Sequence, residues 1–292
     1  MSIPQVILDE LKTIEPDAQL SGKLPKISSS SGRRYFAKIG NPSEAEQYTG
    51  EVESLKAIAA AAPGLAPQVL AFGVGETGKP HFASEYKDLR SLSSSEKAAT
   101  VLAQRLATGL HAYQSGEGFG FHVPTYCGTT RLKNGWYSRW DECFSALIGE
   151  LLDKLGSRYS GLKKNGEEIR HRVIPKLLGK LDIQPVLLHG DLWSGNVGVD
   201  NVTGNPIIYD PASYYGHNEA DLAIGRMFGG FPDSFYSTYH SQLPKTEPVD
   251  EYNLRAELYE LFHYLNHTVL FSGSYAHEAQ AKMDLLLSQC EE

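Results

Sequence analysis

The chain has 292 residues, of which 41% are hydrophobic and 21% are charged, and its formal net charge is −8. This length and composition are ordinary for a globular protein built as one large domain or two lobes. Basic residues do not cluster with interleaved aromatic residues, so nucleic acid is not expected as a partner. Residues 1–20 lack a basic-then-apolar leader, and no apolar run reaches membrane-spanning length, so no membrane association is expected.

The three cysteines, Cys127, Cys143 and Cys290, are odd in number and have no metal-ligand spacing. They predict a reducing compartment without a disulfide framework, and hence a cytoplasmic location. We also expect the protein to be a monomer.

The first ninety residues predict a small lobe that combines a sheet with helices. Helical spacing of apolar residues predicts a helix over 3–14, and residues 17–40 predict a hairpin that ends in a strand at 34–39. A second helix is predicted from Ser43 until Pro63-Gly64 ends it. Two further strands are predicted at 68–74 and 80–86.

A charged residue interrupts the apolar and aromatic strand 34–39. An isolated lysine such as Lys38 is usually a solvent-facing strand residue, but the following helix carries Glu51 and Glu53. A strand lysine paired with a helix glutamate is how the small lobe of a kinase holds nucleotide phosphates. The spacing alone leaves either glutamate as the partner.

The segment 85–90 is predicted to be a hinge between residues 1–89 and a larger lobe formed by residues 90–292. Glu85 and Tyr86 are expected to meet an adenine ring through their backbone groups, an assignment that rests on position alone. Helical patterns predict that the larger lobe is mainly helical. The predicted helices cover residues 96–110, 136–152, 169–181, 219–228 and 254–269, and a Gly-rich aromatic loop covers 116–135.

The stretch 186–210, VLLHGDLWSGNVGVDNVTGNPIIYD, carries the strongest chemical signal in the sequence. Two strand-like runs enclose the polar loop 189–196, and the second run is followed by Asp210. An Asp with an Asn five residues later, and another Asp after a strand-turn-strand, is the layout of a kinase catalytic loop. Asp191 would accept the proton of the attacking hydroxyl, while Asn196 and Asp210 would hold Mg²⁺ against the phosphates of ATP. The alternative is two polar turns in an α/β domain, which the complete string HGDLWSGN makes the weaker interpretation.

The string HGDLWSGNV and its continuation IIYDPASYYGHNEADLA resemble the fructosamine kinase (ketosamine-3-kinase) family, as do MFGGFP and YLNH. The resemblance covers most of the chain and is densest over 186–232. It implies an α+β, two-lobed, protein-kinase-like fold with an antiparallel sheet and a helix in the small lobe and a mainly helical large lobe. It also implies an ATP- and Mg²⁺-dependent kinase.

Transferred residue by residue, the resemblance implies a role for each position that matches the family's motifs. It implies that Asp191 is the base, that Asn196 and Asp210 bind the metal, and that Lys38 contacts ATP. Within the family's GEV-like stretch Gly50-Glu51-Val52, it selects Glu51 as the partner of Lys38. Acceptor contacts are implied for three residues: Trp193, Asn266 and His267. The alternatives are that Trp193 packs the loop against the large lobe and that His267 is an ordinary residue of a helix face. Trp136 and Trp140 are expected to be core residues of the helix that they begin, although the resemblance also implies a similar pair near the acceptor site.

The implied reaction phosphorylates the 3-hydroxyl of ketosamines, either small molecules or glycated proteins, and thereby repairs glycated amines. The alternatives are a kinase for another small acceptor, such as an aminoglycoside, choline or homoserine, and a nucleotide-binding regulator without turnover. The loop between the first two strands is short and serine-rich here, which leaves Ser28 to Ser31 as candidate phosphate contacts. It also lacks a cysteine that many family members carry, so a disulfide-linked dimer through this loop is not expected.

Overall fold

The computed structural model describes residues 2–290. The small lobe contains a five-stranded antiparallel sheet with strand order β1-β2-β3-β5-β4. Its elements in chain order are α1 (Gln5–Ile14), β1 (Leu20–Lys23), β2 (Lys26–Ser29), β3 (Arg34–Ile39), α2 (Ala45–Ala61), β4 (Val69–Val74) and β5 (Pro80–Glu85).

The two small-lobe helices cover opposite faces of this sheet. Tyr35 and Ala37 of β3 pack in one cluster with Ile7 and Leu11 of α1. Phe36 of the same strand packs in the cluster that contains α2. Because side chains alternate along a strand, Lys38 shares the α2 side of the sheet with Phe36.

The larger lobe is mainly helical and contains short antiparallel strand pairs. Its strands are β6 (Leu89–Ser91), β7 (Thr125–Cys127), β8 (Thr130–Leu132), β9 (Val186–Leu188), β10 (Val197–Asp200), β11 (Pro206–Ile208) and β12 (Tyr214–Gly216). Its helices are α3 (Glu96–Thr108), α4 (Trp140–Lys154), α5 (Ser160–Glu168), α6 (Ile174–Leu178), α7 (Asn218–Asp221), α8 (Ala223–Phe228), α9 (Asp233–Gln242), α10 (Tyr252–Phe271) and α11 (Ser274–Gln289). A single π-helical segment, Ile169–Val173, joins α5 to α6. β10 pairs with both β11 and β6, whereas β9 pairs with β12 and β7 pairs with β8.

The predicted helices at 96–110 and 254–269 are confirmed as α3 and α10. The predicted helix start at Trp136 is wrong, because the backbone of Tyr137 exchanges hydrogen bonds of 2.9 and 2.8 Å with Phe119. The helix therefore begins at Trp140, which is buried as expected, while Trp136 is 38% exposed and is not a core residue.

Other helix boundaries also differ from the prediction. The predicted helix 219–228 is divided into α7 and α8, and the segment 169–181 is helical only as far as Leu178. Helices α5, α9 and α11 were not predicted. No helix among residues 2–290 is both long enough and apolar enough to cross a bilayer.

One apolar cluster connects the two lobes. It contains Val52 and Leu55 of α2 together with large-lobe residues such as Leu106 of α3 and Leu258 of α10. Helix α2 is therefore anchored to the large lobe as well as to the small-lobe sheet, and it borders the cleft between them.

Candidate active site

Lys38 and Glu51 form an ion pair on the small-lobe side of the cleft. The Lys38 Nζ lies 2.6 Å from Glu51 Oε2, and the two side chains are 30% and 14% exposed. Burial raises the pKa of Glu51, and the charge and hydrogen bond of Lys38 oppose that rise. Glu53, the other candidate, instead pairs with Lys56 and His122 at the surface. The structure thus brings Glu51, and not Glu53, to the strand lysine.

Gly50 determines how closely α2 approaches the large lobe. A Cβ at this position would lie 2.5 Å from the backbone oxygen of Pro124 and 3.1 Å from the Cα of Thr125. Glycine costs a helix interior about 1 kcal/mol relative to alanine, so its presence here calls for a packing reason. Close contact between α2 and the β7 strand provides that reason, and it positions the next residue, Glu51.

A buried carboxylate binds the backbone of the catalytic loop between β9 and β10. The two oxygens of Asp221 accept hydrogen bonds from the backbone N–H groups of His189 and Gly190, both at 2.8 Å. His111 Nε2 lies 3.0 Å from the same carboxylate. Burial opposes ionisation, but the hydrogen bond and charge of His111 lead the contributions that lower the pKa of Asp221. The Asp221 carboxylate is therefore stabilised in its charged form next to the catalytic loop.

Asp191 lies at the cleft end of this loop. Asn196 Nδ2 donates to Asp191 Oδ2 at 2.9 Å and to the Asp191 backbone oxygen at 3.0 Å. Burial raises the pKa of Asp191 to about 6, although hydrogen bonds from Asn196 and from the thiol of Cys127 act in the opposite direction. A carboxylate with such a pKa is suited to accept a proton near neutral pH.

Cys127 and Asn266 lie behind Asp191 and away from solvent. Asn266 is 1% exposed, and its Nδ2 lies 3.1 Å from Cys127 Sγ. Cys127, Asp191 and His263 place their polar atoms within 4.8 Å of one another. Asn266, predicted as an acceptor contact, thus contacts Cys127, whose thiol in turn donates a hydrogen bond to Asp191. Its direct contact with an acceptor stays a prediction.

Asp210 follows β11 and adopts a φ of 53°, a conformation that Asp tolerates better than most residues. Its carboxylate has no hydrogen-bond donor or ion-pair partner among residues 2–290. Asn196 uses its amide nitrogen on Asp191, so its amide oxygen is available to another group. A carboxylate and an amide oxygen are ligands that fit Mg²⁺, the remaining positions being filled by phosphate and water.

The predicted residues converge on two adjoining cavities. A polar cavity of ≈ 290 Å³ is lined by Lys38, Glu51, Asp191, Trp193, Asn196 and Asp210, among others. An apolar cavity of ≈ 340 Å³ shares Glu51 and Asp210 with it and is also lined by Phe36, Phe82, Glu85 and Tyr86. An apolar slot beside a polar, carboxylate-rich cleft suits a planar base joined to a polyphosphate.

Of the two remaining aromatic predictions, Trp193 lines the polar cavity, whereas His267 is connected to it through Phe228. Trp193 is half-buried and contacts Phe228 with a ring-centroid distance of 5.3 Å. His267 is also half-buried, and it packs against Phe228 at 5.1 Å. Phe228 therefore bridges the two predicted acceptor contacts, a role that the sequence did not indicate.

The prediction that Ser28 to Ser31 form the loop between the first two strands is wrong. That loop is Leu24-Pro25, whereas the serines end β2 and begin the turn to β3. Ser31 Oγ donates to Glu15 at 2.6 Å, and the Ser30 N–H donates to the backbone of Gln19 at 2.9 Å. Since β1 and β2 are antiparallel, the serines lie at the end of the hairpin opposite Leu24-Pro25. Pro25 lines the apolar cavity, and none of Ser28 to Ser31 does.

Sequence reasoning missed Asp221, His111 and Cys127. Asp221 stands in the string HNEAD shortly after the motif residues, and an acidic residue so near the motif was the signal that the sequence offered. Its partners in the chain are 31, 32 and 110 residues away, so their contact could not be deduced from spacing.

The fold and this cleft together define a protein-kinase-like phosphotransferase. The family model for fructosamine kinase matches residues 19–289. The chain is 38% identical over 265 residues to the ketosamine-3-kinase of Mus musculus, a match covering 83% of this chain and 84% of the mouse protein. The chain belongs to the fructosamine kinase family.

Two solved structures show the same fold. The first is a Haemophilus somnus protein assigned as a fructosamine-3-kinase; it is 23% identical, with a TM-score of 0.80 and 96% of each chain covered. The second is an aminoglycoside phosphotransferase in ternary complex with AMP-PNP and hygromycin B. It is 18% identical, with a TM-score of 0.57 and 98% of each chain covered. The protein-kinase-like fold is therefore confirmed.

Proposed function

We propose that this chain is a ketosamine-3-kinase, which transfers the γ-phosphoryl group of ATP to the 3-hydroxyl of a ketose joined to an amine. The observation that carries the proposal is the placement of Asp191, Asn196 and Asp210 across one cleft from the Lys38–Glu51 pair. Family membership identifies the acceptor class, and this cleft contains the groups that the transfer requires.

The nucleotide would occupy both cavities. Its adenine would lie in the apolar cavity against the backbone of Glu85 and Tyr86, within the proposed 85–90 hinge between lobes 1–89 and 90–292. The Tyr86 N–H already donates to Arg34 at 3.1 Å, so other backbone groups of this segment would meet the base. Lys38, oriented by Glu51, would then neutralise charge on the phosphates.

Mg²⁺ would be held by the oxygens of Asn196 and Asp210, where it would neutralise phosphate charge during the transfer. Asp191 would accept the proton of the 3-hydroxyl as the sugar oxygen bonds to the γ-phosphorus. The bond between that phosphorus and its bridging oxygen would break, and ADP would leave. The hydrogen bond from Asn196 keeps Asp191 in position for this proton transfer. Positioning and electrostatics would supply most of the acceleration.

The acceptor would enter beside Trp193, whose ring suits the apolar C–H surface of a sugar. His267 would bind it from the rim, and Asn266 would act from beneath. Both small ketosamines and glycated proteins are proposed acceptors. A 3-phosphate makes the adduct prone to spontaneous breakdown that frees the amine, so we propose a role in deglycation. The three cysteines are buried free thiols, which supports the proposed cytoplasmic location, and we also propose that the protein is a monomer.

An acceptor screen tests the proposal. Purified protein with MgATP would be offered fructosyl-lysine, ribulosyl-lysine, choline and an aminoglycoside, and ADP formation would be measured. We expect turnover with at least one ketosamine. Asp191→Asn should keep the wild-type melting temperature, since the amide preserves the shape of the side chain, and should lose about 10²–10⁴ in rate.

Turnover of choline or the aminoglycoside, with none of either ketosamine, would replace the acceptor class. ATP binding without turnover of any acceptor would favour the non-catalytic regulator. Near-wild-type turnover by Asp191→Asn would remove this residue from the role of base.

A further inference from the structure

A continuous line of aromatic rings leads from the cleft to the outer surface of the large lobe. We call the outer part, formed by Phe228, His267, Phe271 and Tyr275, the aromatic track. From Trp193 the ring centroids follow at 5.3 Å to Phe228 and 5.1 Å to His267. His267 then lies 5.5 Å from Phe271 and 5.0 Å from Tyr275. The track is continuous with the rim of the polar cavity, which Trp193 lines.

The backbone is shaped to keep the inner rings together. A Cβ on Gly195 would lie 2.3 Å from the Trp193 ring, so this ring lies directly over the glycine. Gly230, just after Phe228, has a φ of 97°. A Cβ there would lie 2.4 Å from the Cβ of Ser194. The turn after α8 is thereby packed onto the catalytic loop, and this contact brings Phe228 beside Trp193.

The outer rings are exposed to an unusual degree for aromatic residues. Phe228 is 38% exposed and Phe271 is 65% exposed. Exposure of adjoining large apolar side chains is costly in water, and it commonly marks a binding surface. Because the exposed rings begin at the acceptor end of the cleft, their occupant is most simply the part of the acceptor that projects out of it.

The chemistry of the track suits an alkylammonium chain. Aromatic faces attract cations and contact CH₂ groups well. His267 Nδ1 lies 2.8 Å from the backbone oxygen of His263, which can only accept, so Nδ1 carries the hydrogen. Burial lowers the pKa of His267 and so favours the neutral ring, whose Nε2 accepts a hydrogen bond from an N–H group. The guanidinium of Arg158 donates to Ser272 just beyond Phe271.

We propose that the aromatic track binds the amine-derived arm of the acceptor, specifically the lysine side chain through which a ketose is attached to a protein. The inference rests on the proposed ketosamine-3-kinase function and specifies its acceptor. The ketose would lie at Trp193, the ammonium group between Phe228 and His267, and the methylene chain along Phe271 and Tyr275. Since the track is open to solvent, the rest of a glycated protein would remain outside the cleft.

Two acceptors with the same ketose test the proposal. One is 1-amino-1-deoxyfructose, which has no arm, and the other is the fructosyl adduct of the Nε atom of N-acetyl-lysine amide. The measured quantity is the ratio of kcat/KM for the lysine adduct to kcat/KM for the armless acceptor. We expect a wild-type ratio well above one. Phe271→Ala should lower the ratio about tenfold, equivalent to ~1.4 kcal/mol. Phe271→Tyr should restore it, because the ring is retained.

Tyr113→Ala is the matched control. Tyr113 is 40% exposed, its backbone oxygen accepts a hydrogen bond from Leu187 in β9, and its ring contacts no ring of the track, so this variant should keep the wild-type ratio. A wild-type ratio near one, an unchanged ratio in Phe271→Ala, or an equal fall in Tyr113→Ala would each overturn the proposal. Failure of the underlying function would be visible in the wild type alone, as turnover of neither ketosamine.

Discussion

The pKa of Asp191 is set by its burial and by the hydrogen bonds of adjacent residues. Burial raises its pKa to about 6, while Asn196 and Cys127 donate hydrogen bonds that stabilise its charged form. These opposed effects leave the carboxylate ionised at neutral pH but still able to accept a proton. Asn196 therefore has two contributions, since its nitrogen orients the base and its oxygen is available to a metal.

Single-residue variants can separate these two contributions. Asp210→Ala should lower kcat by at least about a hundredfold, because a carboxylate holds a hard cation more strongly than a neutral amide does. Asn196→Ala should be milder, and additional Mg²⁺ should restore its activity only in part. The unrecovered part reflects the lost hydrogen bond to Asp191. The measurement is kcat against Mg²⁺ concentration.

Asn205→Ala, at an exposed turn between β10 and β11, is the control and should titrate with Mg²⁺ like the wild type. If Asp210→Ala and Asn196→Ala also did so, neither residue would be a metal ligand.

The site residues on the motif were predictable because their spacing along the chain encodes the chemistry. Asp191, Asn196 and Asp210 line one cleft with Lys38 and with Glu51, which the family resemblance, and not the spacing, selected over Glu53. Asp221 and Cys127 were not found, because each acts through tertiary contacts with residues distant in sequence. Their individual residue types are equally common in ordinary helices and strands.

At the scale of elements, helix α2 is the part whose position the nucleotide site depends on most. Gly50→Ala would force this helix away from the backbone of Pro124 and Thr125, and Glu51 would move with it. A displacement of about 1 Å can cost up to about a hundredfold in rate. We expect the KM for ATP to rise about tenfold or more, measured by steady-state kinetics at saturating acceptor.

Gly161→Ala is the matched control for that substitution. Gly161 also lies in a helix, α5, but a Cβ there meets nothing within 4 Å. This variant should keep the wild-type KM and gain up to about 1 kcal/mol of stability. An unchanged KM for ATP in Gly50→Ala would show that the close approach does not position Glu51.

Elements with a clear apolar stripe, such as α3 and α10, were predictable from periodicity. Helix α5 was not, since its sequence SGLKKNGEE has a single leucine and two glycines. It is held by packing, in which Gly166 allows Leu152 of α4 to approach closely. The wrong helix start at Trp136 also reflects a tertiary contact that periodicity does not show. The backbone of Tyr137 pairs with Phe119, and these hydrogen bonds take the place of helical ones.

At the scale of the whole molecule, the two lobes are joined by polar contacts as well as by a shared core. Glu46 at the start of α2 bonds to Arg131 of β8 and to Tyr126 of β7. Gln47 donates to the backbone oxygen of Gly128 at 3.2 Å. The exposed Glu46–Arg131 pair contributes little to stability by itself. Together with the shared core, however, these contacts hold the glutamate helix against the lobe that carries the base.

The two-lobed arrangement was predictable because the catalytic string and the strand-lysine pattern occur together in few folds. The aromatic track was not, because it is assembled from the end of α8 and the last two helices, α10 and α11. The resemblance pointed to His267 alone among these residues, and nothing in the sequence connected it with Phe228, Phe271 and Tyr275.

The position of the transferred phosphate tests the central claim most directly. Wild-type protein would be incubated with MgATP and fructosyl-lysine, or ribulosyl-lysine if the screen favours it, and the product examined by ³¹P and ¹H NMR. We predict a single phosphate on O3 of the ketose, followed on standing by release of lysine. Phosphate on any other oxygen, or ADP formation with no phosphorylated ketosamine, would contradict the assignment of this chain as a ketosamine-3-kinase.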